Sequence, residues 1–226
     1  MDLIQALAAE LGKDPRHVEN VVHLLDEGNT IPFIARYRKE LHGAMDDTSL
    51  RTLEERLQYL RGLEERREAV KKSIDEQGKL TDELTAAIDS AKTLAEVEDL
   101  YRPYKQKRRT RATMAKEKGL EPLAALLFAQ ERDCPRPEEA ARDFVDPEKG
   151  VETVEDALQG ASDIIAEQIS DDAAIRKSLR ALISRQGQLV SRAAAEDDSV
   201  YRLYYDFTQS VARLHAVVVA LLVPPS

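Results

Sequence analysis

One stretch of this chain constrains everything around it. Leu50, Leu53, Leu57, Leu60, Leu63, Val70 and Ile74 form an apolar stripe at helical spacing that runs on to Gln77. Asp46-Asp47-Thr48 supply capping side chains before it, and Gly78 breaks it. At 1.5 Å per residue, roughly 30 helical residues make a rod of about 45 Å. Such a helix is longer than a small domain is wide, so other helices must be arranged along it as along a strut. Its remaining faces are crowded with charge, including Glu54, Glu55, Arg56, Glu64, Glu65, Arg66, Arg67 and Glu68.

The flanking sequence is helical in pattern as well. Leu3, Ile4, Leu7, Ala8 and Leu11 follow the same spacing, and Gly12 ends the run. Asp14 caps a helix with Pro15 at its first position, carrying Val18, Val21, Val22 and Leu25 and stopped by Gly28. Asn29-Thr30 start a third short helix with Pro32 in its first turn, bearing Phe33, Ile34, Tyr37 and Leu41, which ends at Gly43. Residues 1–45 thus resemble a helix-turn-helix unit, although many helical bundles share the pattern.

Residues 46–187 read as the long helix with a bundle around it. Thr81 restarts helix after Gly78, and Thr93 with Glu96 forms a capping box opening residues 94–101, which Pro103 ends. Further helices are expected near residues 110–118, 121–130, 138–144, 153–169 and 171–185, and Gly187 closes the last. Residues 188–192 (QLVSR) alternate, the one short extended segment expected. They open a connector, 188–214, with a polar linker at 194–199. Tyr201, Tyr204, Tyr205 and Phe207 in it should dock on the rest of the fold. A divergent tail, 215–226, follows. The expected class is all-α.

Composition narrows the function. An apolar fraction of 42% suffices for a packed core. A single cysteine, Cys134, excludes a disulfide framework and a multi-cysteine zinc site and points to the reducing cytoplasm. The first residues, MDLIQALAAELGKD, have no signal-peptide pattern. The longest uncharged apolar run, AVVVALLVPP, falls short of the ~20 residues a membrane helix needs, so a soluble chain without a membrane partner is expected. The net charge of −9 argues against indiscriminate binding to nucleic acid, but it is unevenly spread. Residues 102–118 carry eight Lys/Arg and one acid, or +7, which leaves −16 on the remainder. Residues 131–172 alone, with fourteen acids and four bases, carry −10.

The basic run is the leading candidate site. Tyr101, Arg102, Tyr104, Lys105, Lys107, Arg108, Arg109 and Arg111 alternate cations with two aromatics around Pro103, and a helix is expected just after. Basic residues at a helix N-terminus are disfavoured by about 0.3–1 kcal/mol each unless an anion offsets them. A phosphate backbone of RNA or DNA supplies that anion, and the tyrosines can stack on bases. The alternative is intramolecular: the run pairs with the acidic faces of the long helix or of residues 131–172. A second cluster surrounds Arg36 and Lys39, which would share a helical face (i, i+3), while Phe33 and Tyr37 share another (i, i+4). It is either a recognition-type helix or a solvated basic face over an aromatic core pair.

Catalysis finds no seat. His17 and His23 do not share a helix face. His42 sits near a helix end, where it would favour the dipole, and no histidine spacing matches a zinc motif. Cys134 lies in a loop with no His nearby in sequence. Asp46-Asp47 and Asp171-Asp172 read as caps, and no P-loop, GxSxG or Gly-rich phosphate loop occurs. No enzyme, metal, cofactor or small-molecule substrate is expected.

Several motifs resemble one family, the bacterial transcription accessory protein Tex. They are TIPFIARYRKE at residues 30–40, LRTLEERL at 50–57, EQGKL at 76–80, EDLYRPYKQKRRT at 98–110, GLEPLA at 119–124, ALQGA at 157–161, IIAE at 164–167 and YDF at 205–207. The likeness runs in order to Leu214. It implies a helical N-terminal region of a longer nucleic-acid-binding protein. In that family RNase-H-like, helix-hairpin-helix and OB-fold domains follow, none of which is present here, and there is kinship to a eukaryotic transcription elongation factor. After Leu214 the sequence departs from the family pattern, and we read its last twelve residues as the product of a reading-frame change in a truncated chain. The expected function is nucleic-acid binding through the basic segments, with the transcription machinery as partner. The rival is a helical protein-interaction scaffold that packs on the missing domains or on a transcription-complex partner.

Overall fold

A computed structural model describes residues 3–105, 108–132, 134–194, 200 and 202–214. Lys107, the linker from residue 195 to 199, Tyr201 and the tail from residue 215 lie outside the described residues. Among those described there are eleven α-helices and one two-stranded sheet, so the fold is largely all-α. The chain divides into two compact units, Met1–Glu98 and Asp99–Ser226.

In the first unit, α1 (Leu3–Leu11), α2 (Pro15–Asp26) and α3 (Ile31–Tyr37) pack on α4 (Asp47–Asp75). The α2 cap is as the sequence dictates: Asp14 accepts the Arg16 N–H at 2.8 Å, and Pro15 occupies the first turn. Asp46 likewise accepts the Ser49 N–H at 2.7 Å and starts α4, whose 29 residues span about 43 Å. The first half of its stripe, Leu50, Leu53 and Leu57, closes one core with Leu7, Val21 and Ile34. The second half buries Leu63, Val70 and Ile74. It also buries Arg67, which sequence alone placed on a charged outer face. Its guanidinium donates to Glu64 at 2.6 Å and to the Ala91 carbonyl at 2.5 Å, tying α4 to the end of α5 (Asp82–Ser90). The exposed charges of α4 reach other helices of the unit. Arg61 forks onto Asp26 at 2.7 and 2.8 Å, and Arg66 meets Glu98 at 2.5 Å in α6 (Leu94–Tyr101). Such surface pairs contribute about 0–1 kcal/mol each and serve mainly to fix orientation.

Two local expectations need correction here. Helix α3 ends at Tyr37, because the chain turns over Arg38, whose carbonyl accepts from Leu41 and His42 N–H groups. Asn20 pins that turn by donating to the Leu41 carbonyl at 3.1 Å. His42 is thereby carried inward to 1% exposure and sits in the core rather than at a helix end. Glycine is required at position 43: its φ is +59°, and a Cβ there would meet the His17 ring at 2.1 Å. At the start of α6, the Thr93 hydroxyl accepts the Glu96 N–H at 3.2 Å, and the Glu96 carboxylate accepts the Lys92 N–H at 2.7 Å.

In the second unit, α10 (Val154–Asp171) is the central element. It presents Ala157, Gly160, Ala161 and Ile164 to α7 (Arg111–Glu117), α8 (Glu121–Ala129) and α9 (Pro137–Ala141). The facing residues are also small, among them Ala112, Ala115, Ala124 and Ala141, so the backbones approach closely. A complete capping box opens α10, with Asp156 in the acid position opposite Thr153. Helix α11 (Ala173–Gln186) follows from an Asp172 cap and buries no residue of its own. Then β1 (Gln188–Arg192), at the expected extended segment, pairs antiparallel with β2 (Asp206–Ser210), placing Val190 opposite Thr208. Tyr204 and Phe207 pack edge to face, with centroids 5.4 Å apart.

Candidate nucleic-acid interface

The basic run begins where α6 ends. Pro103 converts the helix into a single 3-10 turn, Arg102–Tyr104, after which the backbone extends at Lys105. The run ends at Thr110, whose Oγ1 accepts the Thr113 N–H at 3.0 Å and so caps α7. The same hydroxyl donates to Glu167 of α10 at 3.0 Å. The negative group beside the start of α7 is therefore supplied by the protein itself.

The structure divides the run. Arg102 is committed to Asp171 at 3.0 Å, within the acidic stretch that the intramolecular reading named, whereas Arg109 pairs with Glu117 at 2.6 Å, the one acid inside the basic run itself. Lys105, Arg108 and Arg111 are exposed and make no ion pair among the described residues. Tyr101 and Tyr104 are half-buried. Lys105 and Lys116 line a groove of about 470 Å³ together with Glu167, Asp171 and Asp172. This segment thus offers cations to solvent beside its own acidic rim.

In the first unit, Arg36 and Lys39 do not share a helical face, since α3 has already ended before Lys39. Phe33 and Tyr37 do stack as expected, with centroids 5.2 Å apart. They are not a core pair, because Tyr37 is 56% exposed. The Arg36 guanidinium lies 5.9 Å from the Tyr37 centroid and that of Arg38 5.4 Å from the Phe33 centroid.

A further charged cluster has no signature in the sequence. Asp99, 4% exposed at the end of α6, accepts from Arg176 at 2.6 Å and from Arg180, neighbours at i and i+4 on α11. Burial pushes the Asp99 carboxyl up, but hydrogen bonds and charge from Arg180 and Arg176 outweigh it and hold the group below the ordinary carboxylate range. Separations of 77 and 81 residues leave no local signal for this triad. On α11 itself, Ile175, Leu179, Leu182 and Ile183 form an exposed stripe, with Leu179 at 50% and Ile183 at 54%.

Among the described residues no cluster of His, Cys, Asp and Glu could hold a metal ion, and no helix is long and apolar enough to cross a membrane. The Cys134 thiol is half-buried and points to the Leu126 carbonyl at 3.9 Å.

Residues 1–75 match the Tex-like protein N-terminal domain, and residues 133–222 match the Tex central region-like domain. The basic run lies between the two matched stretches, and the second continues past Leu214, where a departure from the family was expected. Protein YhgF of Escherichia coli (strain K12) is 50% identical over 203 residues, which cover 88% of this chain and 26% of that protein. The transcriptional accessory protein Tex of Neisseria gonorrhoeae is 42% identical over 208 residues, covering 92% of this chain and 27% of that one. S1 RNA-binding domain-containing protein 1 of Pongo abelii is 29% identical over 225 residues, covering 95% and 22%. The chain spans about a quarter of the length of these relatives. With two successive Tex domains matched in order and relatives aligned along nearly its whole length, the chain belongs to the Tex-like family of transcription accessory proteins.

Proposed function

We propose that the chain is a non-catalytic, cytoplasmic nucleic-acid-binding region of a Tex-like transcription accessory protein, holding the phosphate backbone of RNA or DNA along residues 101–111. The observation that carries this reading is the set of exposed cations at Lys105, Arg108 and Arg111. They make no ion pair among the described residues of a chain whose net charge is −9. A cation left unpaired in acidic surroundings suits an anionic partner from outside. Arg102 and Arg109, already paired, are secondary contributors that an incoming phosphate would have to compete for. The Pongo abelii relative, an S1 RNA-binding domain-containing protein, supports RNA as the nucleic acid.

The test is a salt titration of binding to single-stranded RNA and to duplex DNA. For a single strand the log–log slope is roughly −0.7 per neutralised phosphate, so three contacts give about −2. Glu substitution at Lys105, Arg108 and Arg111 should abolish binding without lowering the melting temperature. Loss of folding would instead favour intramolecular pairing.

The exposed stripe of α11 favours a second reading, a scaffold that packs on other domains or on a partner of the transcription complex. A chain that binds no nucleic acid at low salt, yet associates with the remaining domains of a Tex relative until Leu179→Glu is introduced, would decide for it.

A further inference from the structure

The end of α3 exposes an aromatic ring beside its cations, whereas both tyrosines of the basic run are half-buried. Phe33 and Tyr37 stand one helical turn apart with their rings in contact, and a guanidinium lies over each ring. Arg38 is additionally fixed by donating to the Tyr37 carbonyl at 3.4 Å. Neither arginine makes an ion pair among the described residues, nor does Lys39, and the adjacent acid, Glu40, does not reach them. An exposed arginine ordinarily samples many rotamers or finds a carboxylate. Here each guanidinium is held against a ring, and the exposed Arg36 makes no ion pair among the described residues.

We infer that this cluster is a stacking platform for the unpaired bases of a single-stranded nucleic acid. It rests on the nucleic-acid reading above but is a separate contact from residues 101–111. A base lies on the open face of Tyr37 or on the outer plane of an arginine, and Lys39 takes the neighbouring phosphate. Duplex DNA offers no such base face, since its bases are stacked on one another. The platform therefore discriminates single strands from duplexes, which phosphate contacts alone do not.

The chain contains no tryptophan, so Tyr37→Trp in the full chain installs a lone indole reporter. Titration with a deoxythymidine 16-mer should quench its emission saturably, and in a Lys105→Gln, Arg108→Gln, Arg111→Gln background should reach the same final quenching at a higher oligonucleotide concentration. Tyr37→Ala should weaken 16-mer binding, followed by anisotropy, roughly five- to a hundred-fold, with duplex binding and the melting temperature unchanged. Binding by anisotropy without quenching overturns the platform and leaves the 101–111 reading standing. Absence of any binding overturns both. Equal quenching by duplex DNA or by a poly-glutamate peptide also overturns the platform, because the cluster would then sense negative charge alone.

Discussion

Replacing Asp99 by Asn keeps the side chain's size and removes its charge. In the native protein the carboxylate, almost fully buried, serves two arginines of α11 at once. Breaking a buried ion pair costs about 3–5 kcal/mol when the orphaned charge stays buried. Arg176 and Arg180 are 32% and 40% exposed and can turn to water, so the loss should sit at the lower edge, about 3 kcal/mol. That corresponds to a melting shift of roughly 10 °C. The pH dependence gives a sharper check. The folded-state pKa of Asp99 is depressed, so its contribution is complete above the unfolded carboxylate value, near ~3.9, and is lost as pH falls through the lower folded value. Urea melts of the native chain and Asp99→Asn should therefore differ fully at pH 7 and converge below about pH 4. With both arginines changed to Met the buried carboxylate has no cation, and Asp99→Asn should cease to destabilise. A gap that is absent at pH 7, or that persists unchanged into acid, would refute the reasoning.

Other positions give shorter tests. Gly160→Ala gains about 1 kcal/mol of helix propensity but places a Cβ 2.3 Å from a Leu120 methyl and 3.3 Å from the Ala115 Cβ. Overpacking of about 1–3 kcal/mol should win, and a denaturant melt will show a net loss. Thr153→Ala opens the capping box of α10 and should lower stability by about 1 kcal/mol in the same assay. His42 is buried with neither ring nitrogen hydrogen-bonded, so His42→Phe should leave the melting temperature unchanged or raise it.

The elements were legible where local chemistry decides them. The stripe from Leu50 onward, the Asp46 cap and the stop at Gly78 delimit α4 almost to the residue, and the prolines and glycines punctuate the short helices. The QLVSR alternation located β1, but its partner β2 sits beyond a linker and shows no comparable signal. The candidate site was less legible because it depends on partners distant in sequence. Composition finds the cations at 102–111, yet only the fold shows that Asp171 takes Arg102 and that Glu167 reaches the α7 cap. Arg67 reads in the sequence as one more charge on a solvated face, whereas the fold buries it and gives it the Ala91 carbonyl as a partner. At α3 the periodicity ran past the true end of the helix, because burial of His42 and the Leu41–Asn20 bond outweighed it.

The length of α4 also governs the timescale on which its unit opens. One uninterrupted run of backbone hydrogen bonds joins the core around Leu50 and Leu53 to the packing around Val70 and Ile74. Melting its middle would create two new helix ends and require a fresh nucleus to close again, which is unfavourable by roughly 10⁻³ in the nucleation constant. The amides between Leu57 and Leu63, although flanked by few buried side chains, are thus held by both ends. Their exchange with deuterated solvent should follow the rarest opening of the whole unit, giving a plateau of slow exchange along the rod in place of two separate maxima.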